Sequence, residues 1–162
     1  MELLFPIGAA KGSGSTVPEI LTTSDGVSYA AFDSGTDEIL IWDGLILPET
    51  ITGPFTAHIV WSGSSSTTTS HTVRWAVRIQ AFTPEVDGAM DASSFDTANE
   101  VDDDILGTTA KRGQLATVTL TNNDSMAGGD HVTPMIFRNA DHANDDLPED
   151  AWLWGFKIAD SG

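Results

Sequence analysis

The clearest pattern in the chain is a strict alternation of apolar and polar residues across positions 71–82. Successive side chains of a β-strand point to opposite faces of a sheet, so this period of two predicts a central strand with one solvated face. Residues 55–61 repeat the pattern. The polar residues 62–70 between the two segments predict that they form a β-hairpin, with two Trp near its closed end.

Further strand-like segments are separated by turn residues, and no segment has the 3.6-residue period of a helix. These segments are residues 27–32, 38–47, 93–100, 114–121, 131–138 and 151–159. Together they predict an all-β fold: an antiparallel two-sheet sandwich, a jelly roll of about eight strands.

Three local features add detail to this prediction. Asp43 and Gly44 lie within an otherwise apolar segment and predict a bulge or bend. Pro134 lacks a backbone N–H and predicts an edge position or a bulge for its strand. In the last strand, alternation predicts that Trp152, Trp154, Phe156 and Ile158 share one face.

The first 23 residues differ from the rest of the chain. An apolar cluster of Leu3, Leu4, Phe5 and Ile7 is followed by a Gly- and Ser-rich segment. One interpretation is a partner-binding arm and flexible tether over residues 1–23, extending from a jelly-roll domain over residues 24–162. The other is an edge strand that folds back on its own domain.

Residues 38–47 are apolar on both predicted faces, which indicates a strand that is covered on both sides. A second sheet covers one face, and a neighbouring copy of the chain would cover the other. The sequence therefore predicts a symmetric homo-oligomer, with a trimer favoured.

The charge balance limits the possible partners. Asp and Glu number 24 against 7 Lys and Arg, for a formal net charge of −17. Such a surface repels nucleic acid and anionic membranes, which excludes both as partners. Beyond simple solubility, the few lysines and many Asp favour a halophilic or marine origin, where salt screens self-repulsion.

Candidate chemistry is sparse. The chain has no Cys, which excludes disulfides and thiolate metal sites. It contains no zinc, P-loop or nucleophile-elbow motif, and no apolar run of the about 20 residues that a membrane-spanning helix needs. The amino terminus is acidic rather than basic, which is not typical of a secretion signal. We therefore expect neither enzymatic activity nor a bound cofactor.

The acidic segment 139–150 contains the candidate metal ligands. Asp141, Asp145, Asp146 and Asp150 are oxygen donors of the kind that Ca²⁺ prefers. The alternative, which we favour because every loop of this chain is acidic, is a solvated loop held in place by Arg138. The five Trp residues present a similar choice between core packing and a platform for sugar rings.

The whole pattern resembles a family of small jelly-roll virion proteins of tailed bacteriophages and tailed archaeal viruses. The resemblance spans residues 25–160. It lies in F-D-S-G-T-D-E at 32–38, L-P-E at 47–49, V-W-S-G-S-S-S-T at 60–67, V-R-W-A-V at 73–77 and F-R-N-A-D-H-A-N-D-D-L-P-E-D-A-W-L at 137–153.

This resemblance implies a non-enzymatic structural protein located in the virion, as a capsid decoration, cement, turret or tail-associated protein. Its partners would be the major capsid protein or other virion proteins, and such proteins commonly act as trimers. The alternative is a carbohydrate- or receptor-binding β-sandwich module of a phage tail, which requires exposed aromatic side chains.

Overall fold

A computed structural model describes residues 1–65 and 68–160, and its strands form two antiparallel six-stranded sheets that enclose one apolar core. This confirms the predicted all-β sandwich. The strands are β1 (Glu2–Phe5), β2 (Lys11–Gly12), β3 (Glu19–Thr22), β4 (Ser28–Phe32), β5 (Ile39–Ile41), β6 (Leu45–Ile46), β7 (Phe55–Gly63), β8 (Thr72–Phe82), β9 (Asn99–Asp104), β10 (Gln114–Thr119), β11 (His131–Arg138) and β12 (Ala151–Asp160). Short 3₁₀ turns occupy Ile7–Ala9 and Met90–Ala92.

Sheet A has the strand order β10-β7-β12-β4-β3, and β1 pairs with the second half of β12. Sheet B has the order β2-β5-β11-β8-β9, and β6 pairs with β11. The inward-facing residues of the long strands fill the space between the sheets. Trp61, Trp75 and Phe32 are completely buried there and pack edge to face.

The predicted hairpin of β7 and β8 is wrong. β7 pairs with β10 and β12 in sheet A, whereas β8 pairs with β9 and β11 in sheet B. Trp61 of β7 and Trp75 of β8 therefore meet across the core, with ring centroids 6.1 Å apart. Part of the predicted loop, residues 66–67, lies outside the described residues.

The described residues contain twelve strands instead of about eight. One addition comes from the predicted break at Asp43 and Gly44, which divides residues 38–47 into β5 and β6. Pro134 lies in an interior strand, contrary to prediction. Its missing N–H is tolerated because β5 pairs only with Met135–Phe137 and β6 only with His131–Val132, so Pro134 occupies the gap between them.

The other three additional strands come from residues 1–23. Leu3, Phe5 and Ile7 are buried in the core, whereas Leu4 is 68% exposed. This is the arrangement of an edge strand folded back on its own domain, because β1 pairs with β12 while β2 and β3 pair with β5 and β4. The proposed boundary at residue 23 thus has no counterpart in the strand pairing, and of the four candidate arm residues only Leu4 faces outward.

The helical content of the described residues consists of the two 3₁₀ turns, and none of it reaches the length and apolarity needed to cross a membrane.

Candidate functional site

Three aromatic side chains project from the outer face of sheet A and contact one another. Tyr29 of β4 lies 4.7 Å from Trp152 and 4.6 Å from Trp154 of β12, and the two Trp rings are 6.0 Å apart, all between ring centroids. All three side chains are half-buried, in contrast to the buried Trp42, Trp61 and Trp75. We call Tyr29, Trp152 and Trp154 the aromatic cluster.

Strand pairing and two polar contacts hold the aromatic cluster in place. The antiparallel register of β4 and β12 brings Tyr29 beside the two Trp residues. The Trp154 indole N–H donates a 2.9 Å hydrogen bond to Oγ of the buried Ser62 on β7. The Lys111 ammonium lies 4.9 Å from the Trp152 ring centroid, a cation–π distance. Strand pairing and these two contacts therefore fix the positions of the three rings.

An apolar groove of about 370 Å³ continues from Trp154 along the same face. Leu4, Val60 and Leu115 line it, with exposed fractions of 68%, 42% and 56%. Across the sheet, Leu115 lies opposite Val60, and Val60 lies opposite Gly155. Because Gly155 has no side chain, a depression opens between Trp154 and the next outward residue of β12, Lys157.

Polar groups lie at one end of this groove. Lys157 pairs with Glu2 on β1, and its register neighbour on β7 is His58. The hydrogen bond and the charge of Lys157 lower the pKa of the Glu2 carboxyl. No carboxylate lines the groove among the residues that the structure describes.

The prediction that four alternating residues of β12 share one face is wrong. Trp152 and Trp154 face outward, whereas Phe156 and Ile158 are buried in the core. A register shift between Leu153 and Gly155 inserts an extra residue in β12, which reverses the alternation after it. Gly155 was the one sequence signal of this bulge, because glycine within a strand often marks such a position.

The acidic loop 139–150 is held by Arg138, as the favoured alternative predicts. The guanidinium is fully buried, and its Nε and Nη2 donate to the two carboxylate oxygens of Asp145 at 2.9 and 2.6 Å. It also donates to the backbone carbonyls of Leu147 and Glu149 at 2.7 Å. A buried charge requires such partners, and here Arg138 holds residues 145–149 of the loop in place.

The four candidate Ca²⁺ ligands do not converge. Asp145 is taken up by Arg138, and Asp146 accepts a 2.7 Å hydrogen bond from the Thr72 backbone N–H. Asp141 is exposed in the loop, and Asp150 borders a different pocket. No group of three or more His, Asp or Glu side chains within residues 1–65 and 68–160 has the geometry to hold a metal ion.

That other pocket, which we call the acidic pocket, has a volume of about 180 Å³ and lies beside β3 and β4. Its acidic lining residues are Glu19, Asp33, Glu38 and Asp150. Burial raises the pKa of Glu38, and the charges of Asp33 and Asp150 add to this rise. Burial likewise raises the pKa of Asp150, with Asp33 as the next cause. The carboxylates of Asp33, Glu38 and Asp150 therefore repel one another in the acidic pocket.

No protein-family model matches the chain, and no curated protein matches it. The fold is similar to solved structures of carbohydrate-binding modules. CBM35 from Paenibacillus barcinonensis aligns with a TM-score of 0.51 at 12% identity, over 99% of both chains. A family 35 carbohydrate-binding module from Clostridium thermocellum gives 0.51 at 11% identity, again over 99% of both chains.

The same sandwich is found within a larger protein. The structure of the Agl-KA catalytic domain aligns with a TM-score of 0.51 at 7% identity, and the match covers 99% of this chain but 28% of that one. At these identities the similarities establish the fold and nothing about the ligand.

Proposed function

We propose that the protein is a non-catalytic carbohydrate-binding module and that the outer face of sheet A is its binding surface. The observation that carries the proposal is the aromatic cluster. Tyr29, Trp152 and Trp154 are the aromatic residues that sheet A turns outward, and they lie beside a groove. Ligand sites typically combine such aromatic and apolar surface with a few polar groups.

The chemistry of a sugar ring fits this surface. A pyranose has an apolar face of C–H groups and a rim of hydroxyls, so its C–H groups pack against the electron-rich face of an aromatic ring. Hydroxyls at the rim would meet His58 and Lys157 along the groove and Lys111 beside Trp152. Because the groove continues beyond Trp154, the surface suits several consecutive sugar units better than one.

Two further observations support binding without catalysis. Glycoside hydrolysis commonly uses a pair of carboxylates that flank the scissile bond, and no carboxylate lines the groove among the described residues. The similarity in fold to carbohydrate-binding modules agrees with the proposal without identifying a ligand.

The test is titration calorimetry against a panel of neutral soluble polysaccharides: xylan, glucomannan, galactomannan and mixed-linkage β-glucan. We expect the wild-type protein to bind at least one of them. Trp152→Ala should weaken that binding about 30-fold, the equivalent of the about 2 kcal/mol that a central aromatic contact contributes. The matched control is Phe95→Ala, which removes a half-buried ring near sheet B and should leave affinity unchanged.

The proposal fails if no polysaccharide of the panel binds, or if both substitutions weaken binding equally while both variants stay folded. Circular dichroism and the thermal midpoint of each variant establish that they are folded.

A second candidate function is a structural protein of a virus particle, as the sequence resemblance implies. The observation in its favour is the exposure of Leu4, Val60 and Leu115, since large apolar patches on a protein surface often mark contacts with other proteins. A virion protein that binds glycans on a host surface would combine both candidates. Failure of every polysaccharide to bind would favour the purely structural role.

A further inference from the structure

The outermost strands of the two sheets differ in how they are protected against pairing with another chain. Natural edge strands usually carry a charge, a Pro or a bulge, or are very short. At three of the four outer edges this holds: β9 contains Glu100 and three Asp, β3 begins with Glu19, and β2 consists of Lys11 and Gly12. β6, which flanks only part of β11, is two residues long.

The fourth outer edge, β10, has no such protection. Its six residues, Gln114–Thr119, contain no charge, no Pro and no Gly. Its outward side chains Leu115, Thr117 and Thr119 are exposed, and Leu115 belongs to the apolar groove. β10 is thus an uncharged outer edge on a chain with a net charge of −17.

We propose that β10 pairs antiparallel with β10 of a second copy of this chain, which joins the two A sheets into one sheet of twelve strands. A two-fold axis relates the copies, because antiparallel pairing of a strand with itself is symmetric. Leu115, Thr117 and Thr119 of both copies lie on one face only if the axis passes between the two copies of one residue, either Ala116 or Thr117. This contact would be a form of β-strand addition.

The choice of a second copy as the partner follows from what each outer edge carries. Pairing β10 with β10 brings together two edges that have no charged side chain. Pairing it with β9, β3 or β2 would place Asp, Glu or Lys side chains beside β10. Among these four outer edges, a second β10 therefore meets β10 with no charged side chain at the contact, which we call the seam.

Other charges oppose the contact and make it depend on salt. β9 contacts β10 at the same side of the sandwich and carries Glu100, Asp102 and Asp104 on its exposed positions. Arg74 neutralises part of this charge through Glu100 and Asp102. Screening at high ionic strength weakens the remaining repulsion, whereas the backbone hydrogen bonds and the burial of Leu115 persist. Dimerisation should therefore strengthen with salt.

The dimer would place both aromatic clusters on one continuous face. Five strand spacings separate the two copies of β12, which is roughly 24 Å for a flat sheet at about 4.8 Å per strand. This consequence rests on the proposed function, since two sugar sites on one face give a gain in avidity on a polymer. The dimer itself does not rest on it.

The test is sedimentation equilibrium of the full chain, from micromolar to millimolar protein and from dilute buffer to molar NaCl or KCl. We expect a monomer–dimer equilibrium that shifts toward dimer with salt. Thr117→Lys places like charges at the seam and should weaken dimerisation about tenfold or more. Its matched control is Thr22→Lys, the same substitution at the opposite edge of sheet A, which should leave the dimer intact.

Hydrogen exchange supplies a second measurement. The amides of Gln114–Thr119 should become more protected as the protein concentration rises, and those of β3 should not. The proposal is overturned by a monomer under all conditions, by the trimer that the sequence favours, or by equal effects of the two Lys substitutions. Calorimetric binding of polysaccharide by the Thr117→Lys monomer tests the sugar site separately from the dimer.

Discussion

The two sheets are built from strands with the same alternating pattern, but the chain covers more of the outer face of sheet B than of sheet A. On sheet B, Arg78 donates to the backbone carbonyls of Asp96 and Phe95 at 2.7 and 2.9 Å, which fixes the segment between β8 and β9. Ala76 and Met135 point outward from this sheet, yet they are 0% and 7% exposed. On sheet A the corresponding positions include Leu4, Val60 and Leu115, which are exposed.

Polar groups of sheet B also pair with one another. Arg74 donates to Glu100 and Asp102 at 2.7 and 2.6 Å, and Asn139 and Asn144 donate to the same two carboxylates at 2.7 Å. These contacts tie the outer face of sheet B to neighbouring segments of the same chain, whereas the outer face of sheet A presents half-buried aromatic and exposed apolar side chains. The difference shows that alternation specifies which residues of a strand face outward, but not whether other segments of the chain cover them.

The largest expected effect is a loss of stability, and it should differ between the buried and the outward side of β1 in sheet A. Phe5→Ala should destabilise the fold by about 3–5 kcal/mol, because Phe5 is buried and packs against Trp42 and Phe156. Leu4→Ala, on the outward side of the same strand, should change stability by less than about 0.5 kcal/mol. Urea unfolding measures both. Similar losses in the two variants would mean that β1 does not have one buried and one open side.

An intermediate effect is expected on sheet B. Arg74→Met should cost about 1 kcal/mol in dilute buffer, a value limited by the partial exposure of the ion pairs. In molar salt the cost should shrink, since screening weakens these attractions. Lys11→Met is the matched control, because its pair with Asp43 is largely exposed and should contribute almost nothing. A cost that is the same at every salt concentration would contradict the ionic origin of this stabilisation.

The smallest expected effect is a pH dependence of stability that arises in the acidic pocket, where carboxylates beside sheet A repel one another. The raised pKa of Glu38 means that the folded protein favours its protonated form. Stability should therefore rise as the pH falls from neutrality through this raised pKa toward the ordinary value of 4.5. Below that value the gain is complete, and Glu100, whose pKa is lowered by its hydrogen bond with Arg74, begins to cost stability.

Glu38→Gln removes this titration and keeps an oxygen that accepts from the Asp33 backbone N–H. The variant should be more stable than wild type at neutral pH and should show a smaller rise on acidification. Thermal midpoints of wild type and Glu38→Gln, measured between neutral pH and pH 4.5, test this prediction. If the thermal midpoints of the two proteins change in parallel with pH, the ionised Glu38 carboxylate does not destabilise the folded protein at neutral pH.

Local patterns predicted most strand positions because alternation is a property of a few neighbouring residues. The bounds of β8 and β11 differ from prediction by at most one residue, and the break at Asp43 and Gly44 was also predicted. The one predicted strand pairing, that of β7 with β8, is wrong, because the separation of these strands into different sheets depends on contacts far apart in sequence. An edge strand at the position of β1 was one of two interpretations, whereas β2 and β3 were missed because such short strands are stabilised only by tertiary pairing.

The candidate site was only partly predictable. From sequence, the five Trp residues are candidates for a sugar platform or for the core, and burial is favoured; it holds for Trp42, Trp61 and Trp75. The outward orientation of Trp152 and Trp154 depends on the bulge at Gly155, and their contact with Tyr29 depends on the register of β4 and β12. Neither is encoded in a local pattern, because both arise from pairing between distant segments.

The pairing of β1 with β12 determines how the fold responds to mechanical tension. The strands are antiparallel, so Met1 lies beside Asp160, and the amino-terminal ammonium donates to that carboxylate. Tension applied at these two residues loads the hydrogen bonds between the strands one after another, so β1 peels away under a lower force than simultaneous shearing requires. The aromatic cluster lies on the other half of β12, which pairs with β4, and would remain in place while the first strand detaches.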